Sequence, residues 1–415
     1  MTVSKDDKWT EKKISRREML KLTGVGMAGV AIGASGLGGV MKAMGYELLE
    51  DDSTTAQNKV NFYGPHQSGI VTPVQTHIYF ASLNVLLTSK QELQELFKQW
   101  TPLVVRLMNG ETMVEATTNT RVPTGDTGEA AGLDAANLSI TVGIGPSLFD
   151  KLAMQHLKPT ALQDLPHFPK DQLQQEWTGG DLCIQACADD PQVAFHAVRN
   201  LVRAASGKVE IKWSQAGFNS FPAKGGTPRN LFAFKDGTGN PTDVQELKKA
   251  VWVDNGWLKD GSYLVARKIQ MHLETWDRTS LKDQEATFGR HRDSGAPLGK
   301  TQEFDAFDVE EKDSNGEYLM PDTSHTHLAR KSGVQMLRRS YSYASGVMSN
   351  TGAHDAGLLF ISFQKDPAQF IAVQNSLGRM DKLNEYITHR GSAVFACFPG
   401  VQKGSYLGEA LFNAL

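Results

Sequence analysis

The chain has 415 residues, room for two or three domains that each bury a full core. With 43 Lys and Arg against 46 Asp and Glu, its net charge of -3 gives no global electrostatic reason to bind nucleic acid, and no such partner is expected. Hydrophobic residues at 40% and charged residues at 21% exclude a disordered or collagen-like chain, and Cys183, Cys187 and Cys397 are too few for a disulfide framework or a zinc fold.

Residues 1–21 are polar and basic, carrying Lys12, Lys13, Arg16, Arg17 and Lys21, and residues 22–44 are weakly apolar and rich in Gly and Ala. That order is the one found in an export signal. Ser15-Arg16-Arg17-Glu18-Met19-Leu20-Lys21 resembles the twin-arginine signal. The glycines make the segment a poor membrane span, because each costs about 1 kcal/mol of helix stability relative to alanine. Export by the twin-arginine translocase implies a chain that folds before transport, often around a cofactor, and a final place in the periplasm, at the extracytoplasmic cell surface or in the medium. Residues 47–58 form a solvated acidic linker. The expected organisation is therefore signal and linker over 1–58, then domains over 59–220 and 221–415, parted near the polar stretch 217–229.

From Val60 onward, short strand-like runs alternate with helical runs. Residues 76–83 (THIYFASL) and 138–143 (LSITVG) predict strands, and 92–100 (ELQELFKQW) predicts a helix. Residues 181–201 and 357–377 share one plan without gaps: a buried strand, a turn at Asp190-Pro191 or Asp366-Pro367, then a helix. Proline suits the first helical position, and the preceding acid complements the dipole. The equal spacing points to a duplicated unit.

The unusual residues fall in the second half. Asn230 to Pro241 reads NLFAFKDGTGNP and ends an apolar run in Asp236-Gly237-Thr238-Gly239. Either this is an ordinary Asp-Gly turn or its glycines bring the backbone close to a ligand. It is not a P-loop, since no Gly-Lys-Ser/Thr follows. After a polar loop over 303–323 come His325 and His327, which in an extended segment share a face but sit too far apart to chelate easily. A lone imidazole suits haem iron, whose equatorial ligands all come from the porphyrin. Arg338 and Arg339 then open a strand with Tyr341 and Tyr343, so one arginine points inward and needs a partner. That partner is either a structural acid or an anionic ligand.

These residues, together with Gln67-Ser68-Gly69-Ile70, Phe288-Gly289-Arg290, Ser294-Gly295-Ala296-Pro297 and Gly357-Leu358-Leu359-Phe360, resemble the dye-decolourising haem peroxidases along essentially the whole chain. The nearest branch is that of the twin-arginine-exported deferrochelatases. The resemblance implies an α+β fold of two ferredoxin-like domains with antiparallel sheets packed by helices, in a dimeric α+β barrel-like arrangement, and haem b in the C-terminal one. The family's G-x-x-D-G motif falls on residues 233–237, where Ala233 replaces the leading glycine and adds a methyl.

By the same resemblance His325 is the axial iron ligand, and Asp236 and Arg338 are the catalytic pair on the other side. Asp236 is suited to move a proton between the peroxide oxygens, and Arg338, always charged, to stabilise the anion. Gly237, Thr238 and Gly239 are expected against the porphyrin, and Arg290, Arg330, Lys331 and Ser332 near its propionates. Arg330-Lys331-Ser332 departs from the Asn-Pro-Arg of other members. Asp355 is the expected hydrogen-bond partner of the imidazole, and His327 is expected not to ligate. The implied partners are hydrogen peroxide, a one-electron donor or haem as substrate, envelope iron-transport components, and further copies of the chain. A non-catalytic exported haem carrier is the alternative, but it has no need of Asp236 and Arg338.

Overall fold

The structure, a computed structural model, describes residues 58–415 apart from 114–118, 224, 225 and 350. The expected export signal lies outside the described residues. Two runs of four strands share one topology. The first comprises β1 (His77–Val85), β2 (Ser139–Ile144), β3 (Leu182–Ala188) and β4 (Val209–Phe218), in the spatial order β2-β3-β1-β4. The second comprises β5 (Ser262–Met271), β7 (Tyr341–Val347), β8 (His354–Gln364) and β9 (Ile387–Cys397) in the order β7-β8-β5-β9, with the two-residue β6 (Leu337–Arg338) beside β8. In both runs the first and third strands are central neighbours, the arrangement of a ferredoxin-like sheet.

The two sheets join edge to edge through very few residues. Gly143 and Ile144 of β2 face Cys397 and Ala396 of β9, and Phe218 of β4 faces Ser342 of β7. These seams close the ladder into a barrel, which removes the free edges that would otherwise invite aggregation.

Alternation sorts each strand between two cores. Ile78 and Phe80 of β1, with Cys183 and Cys187 of β3, point into the barrel beside Tyr341, Phe363 and Phe395. Ala81, Leu83 and Val85 of β1 and Leu182, Ile184 and Ala186 of β3 face outward, under helices α1 (Lys90–Met108) and α2 (Pro191–Ala204). Helix α1 runs well beyond the predicted 92–100 and through Pro102, because Val104, Leu107 and Met108 continue its buried stripe. Within the barrel, Gly143 lies between Cys183 and Cys397, and a β-carbon on it would come within 3.1 Å of either sulfur.

The sequence echo is a structural one. Asp190 caps α2 by accepting from the Gln192 and Val193 amides at 2.7 and 3.1 Å. Asp366 caps α5 (Pro367–Leu377) by accepting from Ala368 at 2.8 Å, while Gln369 Oε1 accepts the Asp366 amide at 2.9 Å. Two more helices build the site, α3 (Leu281–Phe288) and α4 (His325–Lys331).

Candidate active site

His325 is the first residue of α4, not part of an extended segment. Ser324 caps the helix by accepting the His327 amide at 3.4 Å, and the helical turn sends the two imidazoles apart. His327 is buried against the Tyr318 ring, and His325 stays partly exposed. His325 Nδ1 lies 2.7 Å from Asp381 Oδ2, which itself is buried. An ionised carboxylate can only accept, so the proton sits on Nδ1 and the Nε2 lone pair is left to bind a metal. The expected partner, Asp355, is not the one found. It lies near Lys268 and Tyr343 instead, because β8 carries it past the other end of the barrel wall.

The segment before His325 is held by Gly289, the left-handed cap of α3 at φ +78°. A β-carbon there would meet Ser324 Oγ at 2.7 Å and Met320 at 2.9 Å, so glycine is what lets α3 and α4 approach. Phe288 packs near the His325 ring at 6.3 Å between centroids and stacks on Phe234 at 4.1 Å. An aromatic floor thus runs from the imidazole to a residue two positions before Asp236.

Asp236 and Arg338 meet with Oδ1 3.7 Å from Nη1 and both side chains partly exposed. The separation is too long for a hydrogen bond and short enough for the charges to act on a common small molecule. Asn240 fixes it. Its Nδ2 donates to the Arg338 carbonyl at 2.7 Å and its Oδ1 accepts the Arg338 amide at 3.0 Å, so the turn is pinned to β6 as if by another strand. Arg339 points into the barrel, as strand alternation requires. Its partners are the Thr72 and Pro73 carbonyls and Gln75 Oε1, with no carboxylate among its described contacts.

The turn itself explains a departure from the family pattern. Ala233 has φ +67°, a left-handed backbone that glycine adopts without cost. The family's glycine answers that conformation. Gly237 has φ +112°, and a β-carbon on Gly239 would only touch Arg338 Nη2 at 3.8 Å.

Arg290, Arg330 and Arg338 form one basic group, with Arg290 and Arg330 both over the Phe307 ring. Burial lowers the Arg290 guanidinium from its ordinary value; Glu303 opposes that, and the charges of Arg338 and Arg330 add to it. Arg290 nevertheless stays charged. Its Nη1 donates to the Gly295 and Glu303 carbonyls at 2.7 and 3.1 Å. Lys331 is exposed, and Ser332 Oγ donates back to the Ala329 carbonyl at 2.7 Å. A shallow depression lined by Arg229, Ala233, Leu281, Glu285, Arg292 and Asp293 lies behind the turn and contains neither His325 nor Asp236.

This donor set fits haem b. One imidazole has its Nε2 lone pair directed away from a carboxylate, a flat aromatic wall adjoins it, and three guanidiniums are grouped where acidic side groups would need them. No cluster of three or more metal-ligating side chains occurs among the described residues, which suits an iron that brings its own equatorial ligands. Sequence reasoning missed Asp381, since an Asp is common in turns and nothing local marks it.

Family models match on both sides of the chain: Dyp-type peroxidase, N-terminal, over residues 67–219, and Dyp-type peroxidase, C-terminal, over 227–402. Among curated proteins, a deferrochelatase of Yersinia pestis is 37% identical over 96% of this chain and 95% of its own length. A deferrochelatase of Escherichia coli is 38% identical over 87% of this chain and 89% of its own. Among solved structures, an oxyferrous complex of DtpA from Streptomyces lividans superposes with a TM-score of 0.80 at 35% identity, covering 86% of this chain and all of that one. A DyP-type peroxidase from Cellulomonas bogoriensis gives 0.79 at 35% identity, covering 86% of this chain and 99% of that one.

Proposed function

Because the chain belongs to the Dyp-type peroxidase family, we propose that Asp236, Arg338 and His325 carry its reaction. The protein is a haem b peroxidase that reduces hydrogen peroxide while oxidising a one-electron donor, and it shares the deferrochelatase activity named for its relatives, release of iron from haem. Haem b, when bound, supplies the redox-active iron at which peroxide is reduced. His325 holds that iron through Nε2, and Asp381 keeps the imidazole in the required tautomer and makes it more basic. Asp236 takes the proton from one peroxide oxygen and returns it to the other, so that the second leaves as water. Arg338 holds the anionic form and the charge that develops as the O–O bond breaks. Arg290 and Arg330 would bind the propionates, and Gly237, Thr238 and Gly239 would lie beside the ring.

The observation that carries this assignment is the Asp236–Arg338 pair, held at 3.7 Å without a direct hydrogen bond. A haem carrier has no use for it. Asp236→Asn keeps the shape and removes the base. It should retain haem and lose roughly a hundredfold or more in the rate with peroxide, read by stopped-flow absorbance. A parent-like rate would remove Asp236 from the mechanism.

We extend the proposal to the cell. The paired Arg16 and Arg17 before an apolar segment support export by the twin-arginine translocase, hence a place in the periplasm or at the extracytoplasmic surface, beside iron-transport components and as a homo-oligomer. Replacing both arginines by lysine should trap the protein in the cytoplasm, read by fractionation, and unchanged export would refute this.

A further inference from the structure

Glu303 begins a polar loop to which the sequence assigns no role, yet its side chain is almost fully buried. Oε2 accepts from Lys235 Nζ at 2.5 Å and Oε1 from Thr238 Oγ1 at 2.9 Å. Thr227 adds a third hydrogen bond, and the Glu303 carbonyl accepts from Arg290. Burial pushes the carboxyl up, but Lys235, Thr227 and Thr238 outweigh it and hold it below the usual range, so it is ionised. One carboxylate therefore grips the residue before Asp236 and the residue two after it.

The grip has a second anchor. The Lys235 stem runs across Gly295, where a β-carbon would come within 2.6 Å of its Cδ, and Arg290 binds the same glycine's carbonyl. Lys235 is thus fixed along its length and neutralised at its tip. Were it loose, an ammonium one residue from Asp236 would compete with Arg338 for that carboxylate. Asn240 ties the far end of the turn to Arg338, and the Asp236 amide donates to the Pro228 carbonyl at 3.0 Å. Between these anchors Glu303 holds the turn on both sides of Asp236, at Lys235 and at Thr238.

We infer that Glu303 is a positioning residue for the peroxide reaction, acting through Lys235 and Thr238 to hold Asp236 at its distance from Arg338. This rests on the function proposed above. Misplacement of about 1 Å at a reacting group is enough to cost on the order of a hundredfold in rate, so a loosened turn should be visible.

The test uses the haem-loaded protein with Glu303→Gln and Glu303→Ala, each in the parent and in Asp236→Asn. Glu303→Gln keeps the shape and one acceptor for Thr238, and decides the matter alone if Glu303→Ala fails to hold haem. Haem occupancy should stay within about twofold, the peroxide rate should fall roughly tenfold to a hundredfold in the parent, and the KM for donor should not change. Cyanide affinity, which reads the same two groups without turnover, should weaken in parallel. In Asp236→Asn neither substitution should add a further loss, because the group it positions is gone. An equal loss in both backgrounds, or no loss at full haem occupancy, overturns the inference. A parent-like Asp236→Asn would instead overturn the function on which it rests.

Discussion

In the N-terminal half, α2 lays its apolar stripe on β1 and β3 and closes a core there. In the C-terminal half the topologically equivalent helix, α5, divides its contacts between β5, β8 and α4, and Ser376 Oγ donates to the Leu328 carbonyl at 2.6 Å. One copy of the unit packs its sheet shut. The other uses the same helix to support α4, which carries His325. The buried histidines differ in the same sense. His196 on α2 sits 3.6 Å from Asp126 and 3.3 Å from Glu129, whereas His389 on β9 faces Arg267 and His325.

The strongest way to break this comparison is His325→Ala. It should abolish stable haem binding, measured as Soret absorbance per chain, while far-ultraviolet circular dichroism stays close to that of the parent. Retained haem would mean the pocket does not depend on α4.

Acid should open the C-terminal half first. Burial, reinforced by Arg267 and His325, lowers the His389 pKa to about 3. The unfolded imidazole takes up its proton near 6.5, so unfolding binds a proton across that window. Stability is complete above about pH 6.5 and falls as the pH drops towards 3, by about 1.4 kcal/mol for each unit crossed. Urea midpoints between pH 7 and 4 should fall accordingly, and His389→Gln should flatten the slope. An unchanged slope in the variant would clear His389.

The two caps sharpen the comparison at smaller scale. Asp190→Ala and Asp366→Ala should each cost about 1 kcal/mol of stability, but only the second should also weaken haem retention, since α5 carries α4. Equal haem retention would mean that α5 is no support. The smallest effect is expected from Ala233→Gly, which relieves the left-handed strain and should stabilise by at most about 1 kcal/mol without changing the peroxide rate, read by thermal unfolding and stopped flow.

What the sequence disclosed was local. The Asp-Pro starts of α2 and α5 and the inward-outward alternation through Arg338, Arg339, Tyr341 and Tyr343 all depend on neighbours a few residues away, where steric and dipole rules are strong. The barrel-like arrangement came from the family resemblance and not from any local pattern, since closure hangs on seams as short as Phe218 with Ser342. Asp381 lies 56 residues from His325, and Asp355 was a plausible partner only because it is nearer in the chain. Residues 325–331 are too few for a helical period to declare itself, although Ser324 is a fitting cap. Glu303 was hidden by company: in a loop full of acids, burial alone distinguishes it.

Gly143 bears on the hazard of handling an oxidant. Cys183 and Cys397 face it from the two neighbouring strands, and their thiols share a hydrogen bond in the space its missing side chain leaves. Both sulfurs are sealed from solvent, and burial raises the Cys183 thiol well above its ordinary value, so almost none is the reactive thiolate. These two thiols are thereby protected, and repeated exposure of the chain to its own substrate should leave Cys183 and Cys397 reduced.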